Sequence, residues 1–261
     1  MNFGKTFTLT GTERQRLVNS TTYMTEIETP EVTLSRDSTT TAQALKTLVE
    51  VVSGRKIEFG IILGDLTEVD VDAIACPANP GFEYAGFGGV QVAIARRAGM
   101  ATFEEAEAKA KAYIASRPKD VSIDGNFVGV PLGFATATAS GNLDRIRTII
   151  HVNNMRVDKQ PPCDEDVVRQ CVGSVLAVAE SEGLTSVAFP AMGTGVWGMS
   201  MAESISGTIK GIQDYFREIN SDSGINKISL VIYAQPTLAN ANELKSIMVN
   251  EVAPQLKSSQ Q

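Results

Sequence analysis

Two glycine-rich segments carry most of the chemistry that this sequence can be expected to perform. Residues 75–90 read ACPANPGFEYAGFGGV, and residues 188–198 read AFPAMGTGVWG. Each segment follows an apolar run and precedes a stretch with helical spacing. Glycine permits positive φ angles and lets backbone N–H groups approach a ligand with no Cβ in the way. The helix that follows adds unpaired N–H groups and the positive end of its dipole, so both loops are suited to binding phosphate.

Strands that alternate with helices must position these two loops. The strands are predicted at Ile57–Leu63, Ala73–Cys76, Pro131–Thr138, Thr148–Asn153, Ser186–Pro190 and Lys227–Ala234. The helices are predicted at Val90–Ala115, at Asp164–Ser181, from the capping box Ser200–Glu203 onward and after Thr237. Several strands are almost continuously apolar, which indicates burial on both faces. The pattern predicts a three-layer α/β/α sandwich with a mostly parallel mixed sheet, whose ligands bind outside the carboxyl ends of the strands.

The first 55 residues are predicted to be an extension that packs on this domain. Residues 1–37 are polar and lack a helical period, apart from a short strand candidate at Glu31–Ser35, so disorder or an added edge ribbon fits them. A helix is predicted from a capping box at Thr40 to a stop at Gly54, with the apolar stripe Leu45, Leu48, Val49 and Val52. The main domain is then expected at 56–252, followed by a C-terminal tail at 253–261.

Composition and charge exclude several classes of function. The net charge of −7 gives an overall field that repels phosphate backbones, so nucleic acid is not an expected partner. The apolar runs have the length of strands, so we expect a soluble cytoplasmic protein with no membrane partner. Three cysteines and one histidine cannot form a zinc quartet, and neither a metal nor another cofactor is expected.

The sequence resembles the macrodomain family in the order and spacing of several motifs. They include Gly64-Asp65-Leu66-Thr67, Pro77-Ala78-Asn79, residues 86–90 (GFGGV) and, most specifically, residues 186–198 (SVAFPAMGTGVWG). The resemblance covers about residues 56–252. It implies that the ligand is ADP-ribose and that it lies in a cleft between the two glycine-rich loops.

The resemblance also implies roles for single residues at the two ends of this ligand. Asp65 would accept a hydrogen bond from the adenine amino group, and Leu66 would contact the same base through its backbone. Tyr233 stands where an aromatic ring stacks on adenine, although a core tyrosine at a strand end fits equally well. Asn79 would bond the distal ribose, and Trp197 would lie beside it.

The remaining ligand-binding residues would act mainly through backbone N–H groups around the distal ribose and the phosphates. These residues are Ala78, Gly88, Gly89 and Val90 in the first loop, and Gly193, Thr194, Gly195 and Val196 in the second.

Catalysis is less well supported by the sequence than binding. Hydrolytic members of one macrodomain branch carry an aspartate after the glycine run, whereas this chain has Gln91, whose amide is no general base. The first loop is about two residues longer than is usual in the family. Asn79 and Glu83 are the candidate catalytic residues, with Glu83 as a replacement base if the loop folds inward and as an exposed glutamate otherwise. His151 is expected to be a core histidine.

Three hypotheses follow. The leading one is a module that binds free ADP-ribose or the ADP-ribosyl group of a mono-ADP-ribosylated protein. The alternative is a hydrolase that removes ADP-ribose from modified proteins or deacetylates O-acetyl-ADP-ribose. The third is a scaffold or RNA-associated module with a vestigial cleft.

Cys76, which replaces another family asparagine, is expected to be a buried and unreactive thiol.

Overall fold

A mixed sheet of eight strands organises the molecule in the computed structural model. The structure describes residues 35–36, 42–51, 55–86, 88–117, 122–124, 127–157, 160–218, 223–234, 237–252 and 254. The strands are β1 (Ser35–Arg36), β2 (Ala42–Val51), β3 (Arg55–Leu63), β4 (Ala73–Ala78), β5 (Ser122–Asp124), β6 (Phe127–Gly129), β7 (Ala135–Ala139), β8 (Thr148–Asn153), β9 (Ser186–Pro190) and β10 (Lys227–Ile232). The main sheet has the order β1-β2-β3-β10-β9-β4-β8-β7, and β5 pairs with β6 separately.

The centre of the main sheet is parallel and its margins are antiparallel. Strands β3, β10, β9, β4 and β8 run in the same direction, whereas β2 and β7 run against their neighbours. The helices are α1 (Gly89–Ala98), α2 (Ala101–Ser116), α3 (Glu165–Ser181), α4 (Met201–Glu218) and α5 (Leu238–Ile247), and a π-helical turn follows at Met248–Val252. The predicted mostly parallel mixed sheet is confirmed.

Alternation along the strands builds a core on each face of the sheet. Ile61 and Leu63 face a large cluster that includes residues of α3, α4 and α5, whereas Ile62 faces a second cluster with residues of α1 and α2. Leu230 and Val231 divide between the two clusters in the same way. Burial on both faces explains the apolar strand sequences and confirms the three-layer α/β/α sandwich.

The helix predicted between Thr40 and Gly54 is wrong. Residues Ala42–Val51 instead form β2, which pairs antiparallel with β3 along its length. The register shifts between Gln43 and Leu45, a β-bulge or irregularity of the backbone pairing. The edge of β3 that β10 does not occupy offers backbone hydrogen-bond partners. Pairing with this edge favours a strand over a helix for these residues. Residues 31–34 of the short strand candidate lie outside the described residues.

The single helix predicted at Val90–Ala115 is also wrong, because two helices occupy this region. Gly99 has a φ of 96° and its N–H donates to the carbonyl of Ala95, which ends α1. Helix α2 then begins at Ala101. The other predicted strands and helices are present, with shifted ends for the strands predicted at Ile57–Leu63, Ala73–Cys76, Pro131–Thr138 and Lys227–Ala234.

His151 lies in the core, as expected, on the face of β8 that α2 covers. It is fully buried, its Nε2 lies 3.2 Å from Thr138 Oγ1, and its ring packs edge-on against Phe103. Its Nδ1 has no partner among the described residues. Burial lowers the pKa of His151 to about 4, with Glu105 raising it and Lys109 lowering it further. The ring is therefore neutral at pH 7.

The edge strand β7 is covered by side chains from α2. Lys109 Nζ donates to the carbonyl of Ala137 at 2.6 Å, and Glu105 accepts from the N–H of Ala139 at 3.2 Å. The two side chains also form an ion pair with each other at 2.7 Å. Together they satisfy backbone groups that have no strand partner on this side.

Candidate functional site

The two glycine-rich loops leave adjacent strands at the same edge of the sheet. Strands β4 and β9 pair in parallel, so the loop after Ala78 and the loop after Pro190 begin side by side. Strands β3 and β10 also pair in parallel and end at this edge, where they carry Asp65 and Tyr233. The structure thus brings the ends of all four strands that hold predicted binding residues to one edge of the sheet.

The second loop, residues 191–200, contains Gly193, which lies against the sulfur atoms of Met199 and Cys163. Gly193 is buried with a φ of 83°, and a Cβ at this position would lie 2.1 Å from Met199 Sδ and 3.3 Å from Cys163 Sγ. Backbone bonds from Met199 N–H to Gly193 (3.1 Å) and from Gly198 N–H to Gly195 (3.1 Å) close the turn. Only glycine meets both the φ and the close approach at Gly193.

The outer part of the second loop is open. No atom lies within 4 Å of the Cβ position of Gly195, and Val196 is 77% exposed. Thr194 turns inward, with its hydroxyl donating to the carbonyl of Ala191 at 2.8 Å. Trp197 is half-buried and packs against the larger core cluster, which leaves part of its ring at the surface.

The first loop ends in two glycines that open α1. Gly88 has a φ of 107° and Gly89 a φ of 67°, and nothing lies within 4 Å of either Cβ position. Gly88 is the N-cap of α1, and no side chain caps the helix there. The N–H groups of the first turn, including that of Val90, are the backbone donors that an anion at a helix start uses.

Asn79 holds the beginning of the first loop. Its Oδ1 accepts from the N–H of Gly81 at 2.9 Å, and its Nδ2 donates to the carbonyl of Glu83 at 2.8 Å. One N–H of the amide is left after these bonds, since a primary amide carries two. The side chain therefore shapes the loop and retains one donor for a ligand.

Aromatic rings anchor the middle of the first loop. Phe82 is 1% exposed and Tyr84 is half-buried, with its ring 5.2 Å from that of Phe103. Glu83, between them, is exposed and close enough to Lys111 of α2 to raise the pKa of that lysine, behind the larger effect of Glu107. The carboxylate of Glu83 is thus on the solvent side of the loop.

The side chain of Gln91 is hydrogen-bonded to the backbone at the end of β4. Its Nε2 donates to the carbonyl of Pro77 at 2.9 Å, which ties the first turn of α1 to the end of β4. A neutral amide in this position can orient a water but cannot take a proton from it at neutral pH.

The ends of β3 and β10, at the same edge of the sheet, carry a carboxylate and an exposed aromatic ring. Asp65 caps a 3-10 turn at Leu66–Glu68, where its Oδ1 accepts from both Thr67 N–H (2.8 Å) and Thr67 Oγ1 (2.7 Å). Its other oxygen has no hydrogen-bond partner among the described residues. Leu66 is buried, whereas Tyr233 is 87% exposed. The position of Tyr233 is not that of a core tyrosine.

Asn154 is a supporting residue that sequence reasoning missed. Its N–H donates to the carbonyl of Ala78 at 3.2 Å, and its Nδ2 lies 3.9 Å from Cys163 Sγ beneath Gly193. It therefore connects the bases of the two loops. The available signal was its position directly after β8, at the same carboxyl edge.

The cysteines have no features of nucleophiles. Cys76 and Cys171 are fully buried, and burial raises the pKa of both thiols. Burial, with Asp164 beside it, raises the pKa of Cys163 to about 11. Cys76 is therefore a buried and unreactive thiol, as expected. In the part of the chain that the structure describes, no group of three or more His, Cys, Asp or Glu side chains is arranged to hold a metal, and no helix is long and apolar enough to cross a membrane.

Comparison with known proteins identifies the family. The macro domain profile matches residues 76–207, about half of the chain. The chain belongs to the macro domain family, as its motifs indicated.

Relatives and solved structures agree with this assignment. A macro domain-containing protein of Listeria monocytogenes is 29% identical over 189 residues, which cover 72% of this chain and 97% of the relative. The Oceanobacillus iheyensis macrodomain with ADP superposes with a TM-score of 0.57 at 21% identity, over 82% of this chain and 97% of that one. The Trypanosoma brucei macrodomain in complex with ADP-ribose gives 0.53 at 20% identity, over 74% and 69%.

Proposed function

We propose that this protein binds ADP-ribose, either free or as the ADP-ribosyl group of a modified protein, between its two glycine-rich loops. The observation that carries the proposal is the pair of open loops at adjacent strand ends. Gly88 and Gly89 on one side and Gly195 on the other have nothing within 4 Å of their Cβ positions. Backbone N–H groups from both sides can therefore approach a diphosphate.

The adenine end has the groups that a purine needs. One carboxylate oxygen of Asp65 is available to accept from an exocyclic amino group, and the exposed Tyr233 ring offers a stacking surface. Gly64 N–H donates to the carbonyl of Ile232 at 3.0 Å, so these two groups follow directly from paired strand ends. Two similar macrodomain structures are described with ADP and with ADP-ribose, which supports the same ligand class for this chain.

The geometry favours binding over turnover. Asn79 and Glu83 are the candidate catalytic residues, but Asn79 bonds within its own loop and Glu83 is exposed beside α2. Gln91 is bonded to the scaffold and is no base. Charge also argues against an RNA-associated module, because a net charge of −7 opposes phosphate-backbone contacts.

Calorimetry with ADP-ribose, ADP and AMP tests the proposal. We expect ADP-ribose to bind most tightly, because it alone reaches the adenine end, the diphosphate loops and the ribose end together. Equal and weak binding of all three ligands would refute the ribose half of the assignment.

A methyl group placed in the open loop provides a second test. Gly195→Ala should leave the stability of the protein almost unchanged, since its Cβ meets nothing within 4 Å. It should weaken ADP-ribose binding by about 1–3 kcal/mol, the usual cost of an added methyl in a packed contact. Gly173→Ala is the matched control, because Gly173 also has open space but lies on α3. Equal affinities of the two variants would remove Gly195 from the site.

A further inference from the structure

Phe82 is the one residue of the first loop whose side chain is almost completely buried and whose backbone is strained. It has a φ of 58°, a left-handed value that side-chain-bearing residues seldom adopt, and it is the only non-glycine residue of the described chain with positive φ. Such a conformation persists when surrounding contacts stabilise it. The contacts of Phe82 explain why this one does.

The ring of Phe82 packs on the sheet and on α2. Its centroid lies 5.6 Å from that of Phe134 and 6.3 Å from that of His151. It belongs to a small buried cluster with Ala106 and Ala110 of α2. The strained backbone is therefore held by burial of a large aromatic side chain, which carries about 1.5–3 kcal/mol of burial free energy in general.

The backbone of Phe82 is bonded to the residue that would contact the ribose. Its N–H donates to the carbonyl of Asn79 at 3.0 Å, and the Asn79 amide spans the same turn through Gly81 and Glu83. The carbonyl of Pro80 accepts from Val130 N–H at 2.8 Å, which fastens the turn to the segment before β7. The ring, the turn and the Asn79 amide thus form one unit.

We propose that Phe82 is a positioning residue that sets the ribose-binding half of the cleft and thereby the preference for ADP-ribose over ADP. This inference rests on the proposed function. The buried ring fixes the turn, and the turn orients the remaining N–H of Asn79. The adenine end, at Asp65 and Tyr233, lies on other strands and does not depend on this anchor.

Two substitutions distinguish the contribution of the Phe82 ring to binding from that of the Phe82 backbone conformation. Phe82→Ala removes the anchor and keeps the strain, whereas Phe82→Gly removes the anchor and relieves the strain. Binding of ADP-ribose and ADP is measured by calorimetry for each protein, under conditions where circular dichroism shows a folded state. Phe216→Ala is the control, because it removes a buried ring from α4 in the opposite core cluster.

Both Phe82 variants should bind ADP-ribose about tenfold more weakly, the effect of losing one or two hydrogen bonds to the ribose, with ADP affinity within about twofold of the wild type. Phe216→Ala should keep the wild-type ratio of ADP-ribose affinity to ADP affinity. If either variant does not fold, Phe82→Leu takes its place and should lower the ratio, because it lacks the ring contacts.

The contrary outcomes are distinct. An unchanged ratio of ADP-ribose affinity to ADP affinity in Phe82→Gly would mean that the turn alone is sufficient. That result would overturn the role of the ring. A parallel loss of both ligands would also overturn it. A wild-type protein that binds ADP-ribose no more tightly than ADP would instead refute the proposed function.

Discussion

The buried, neutral His151 should make the stability of this protein fall as the pH is lowered from 7 to 4. Burial depresses its pKa from 6.5 to about 4 in the folded state, whereas the unfolded chain restores an ordinary histidine. Between these two pH values the unfolded state binds a proton that the folded state does not. The free energy of the unfolded state therefore falls relative to that of the folded state. The stabilising effect of the neutral ring is lost as the pH decreases.

The magnitude follows from the same two values. A difference between 6.5 and about 4 corresponds to about 3 kcal/mol, with a slope of about 1.4 kcal/mol for each pH unit inside the window. Above pH 6.5 the histidine contributes no slope, and below pH 4 the slope ends because both states are protonated. Glu105 and Lys109 are the charged groups nearest to the ring, and they act in opposite directions.

Urea unfolding at pH 7, 5.5 and 4 measures this dependence. The reference is His151→Gln, because a glutamine does not titrate and can still bond the hydroxyl of Thr138. Carboxylates other than Glu105 contribute similarly to both proteins, so the difference between the two reports on His151 together with its interaction with Glu105. We expect the wild type to lose about 3 kcal/mol more than the variant from pH 7 to pH 4. Parallel pH profiles would refute the reasoning.

Three further predictions concern single side chains. Asp65→Asn should weaken AMP, ADP and ADP-ribose binding alike by about 1–3 kcal/mol, because its oxygen stays bonded to Thr67 and an NH2 donor then faces the adenine amino group; an unchanged affinity in calorimetry would remove this residue from the site. Glu83→Gln should leave any release of ADP-ribose from a mono-ADP-ribosylated protein unchanged, because the carboxylate is exposed; lost release with retained binding would identify it as the base. Gly141→Ala should lower the free energy of unfolding by about 3 kcal/mol, because its Cβ would lie 2.0 Å from the carbonyl oxygen of Ala98. Gly183→Ala, with a similar φ of 67° and open space, should cost about 1 kcal/mol, and equal losses in chemical denaturation would contradict the clash.

The parallel strands could be predicted because burial on both faces requires consecutive residues to be apolar. Strand β8 and strand β9 begin and end where the apolar runs do, since both faces of these strands are covered. The region of β2 misled because Leu45, Leu48 and Val49 have helical spacing. That spacing coexists with a strand that contains a register shift, and antiparallel pairing with the next strand, β3, decides between the two.

The residues of the candidate site could be named from the sequence, but their internal bonds could not. Asp65 and the glycines are recognisable because their residue types and order match motifs of the macro domain family. The engagement of Asn79 with its own loop and the burial of Phe82 depend on how this loop closes, which no local pattern specifies. The break at Gly99 was readable in principle, because glycine at a positive φ commonly ends a helix.

The covered edge of β7 bears on how this protein behaves at high concentration. An unpaired strand edge is a template on which another extended chain can grow, and such growth leads to fibrils or precipitates. Here a lysine and a glutamate one helical turn apart occupy the hydrogen-bonding positions and place charge beside them. Self-association through this margin of the sheet would have to displace both side chains first, so the two side chains oppose the addition of a strand here.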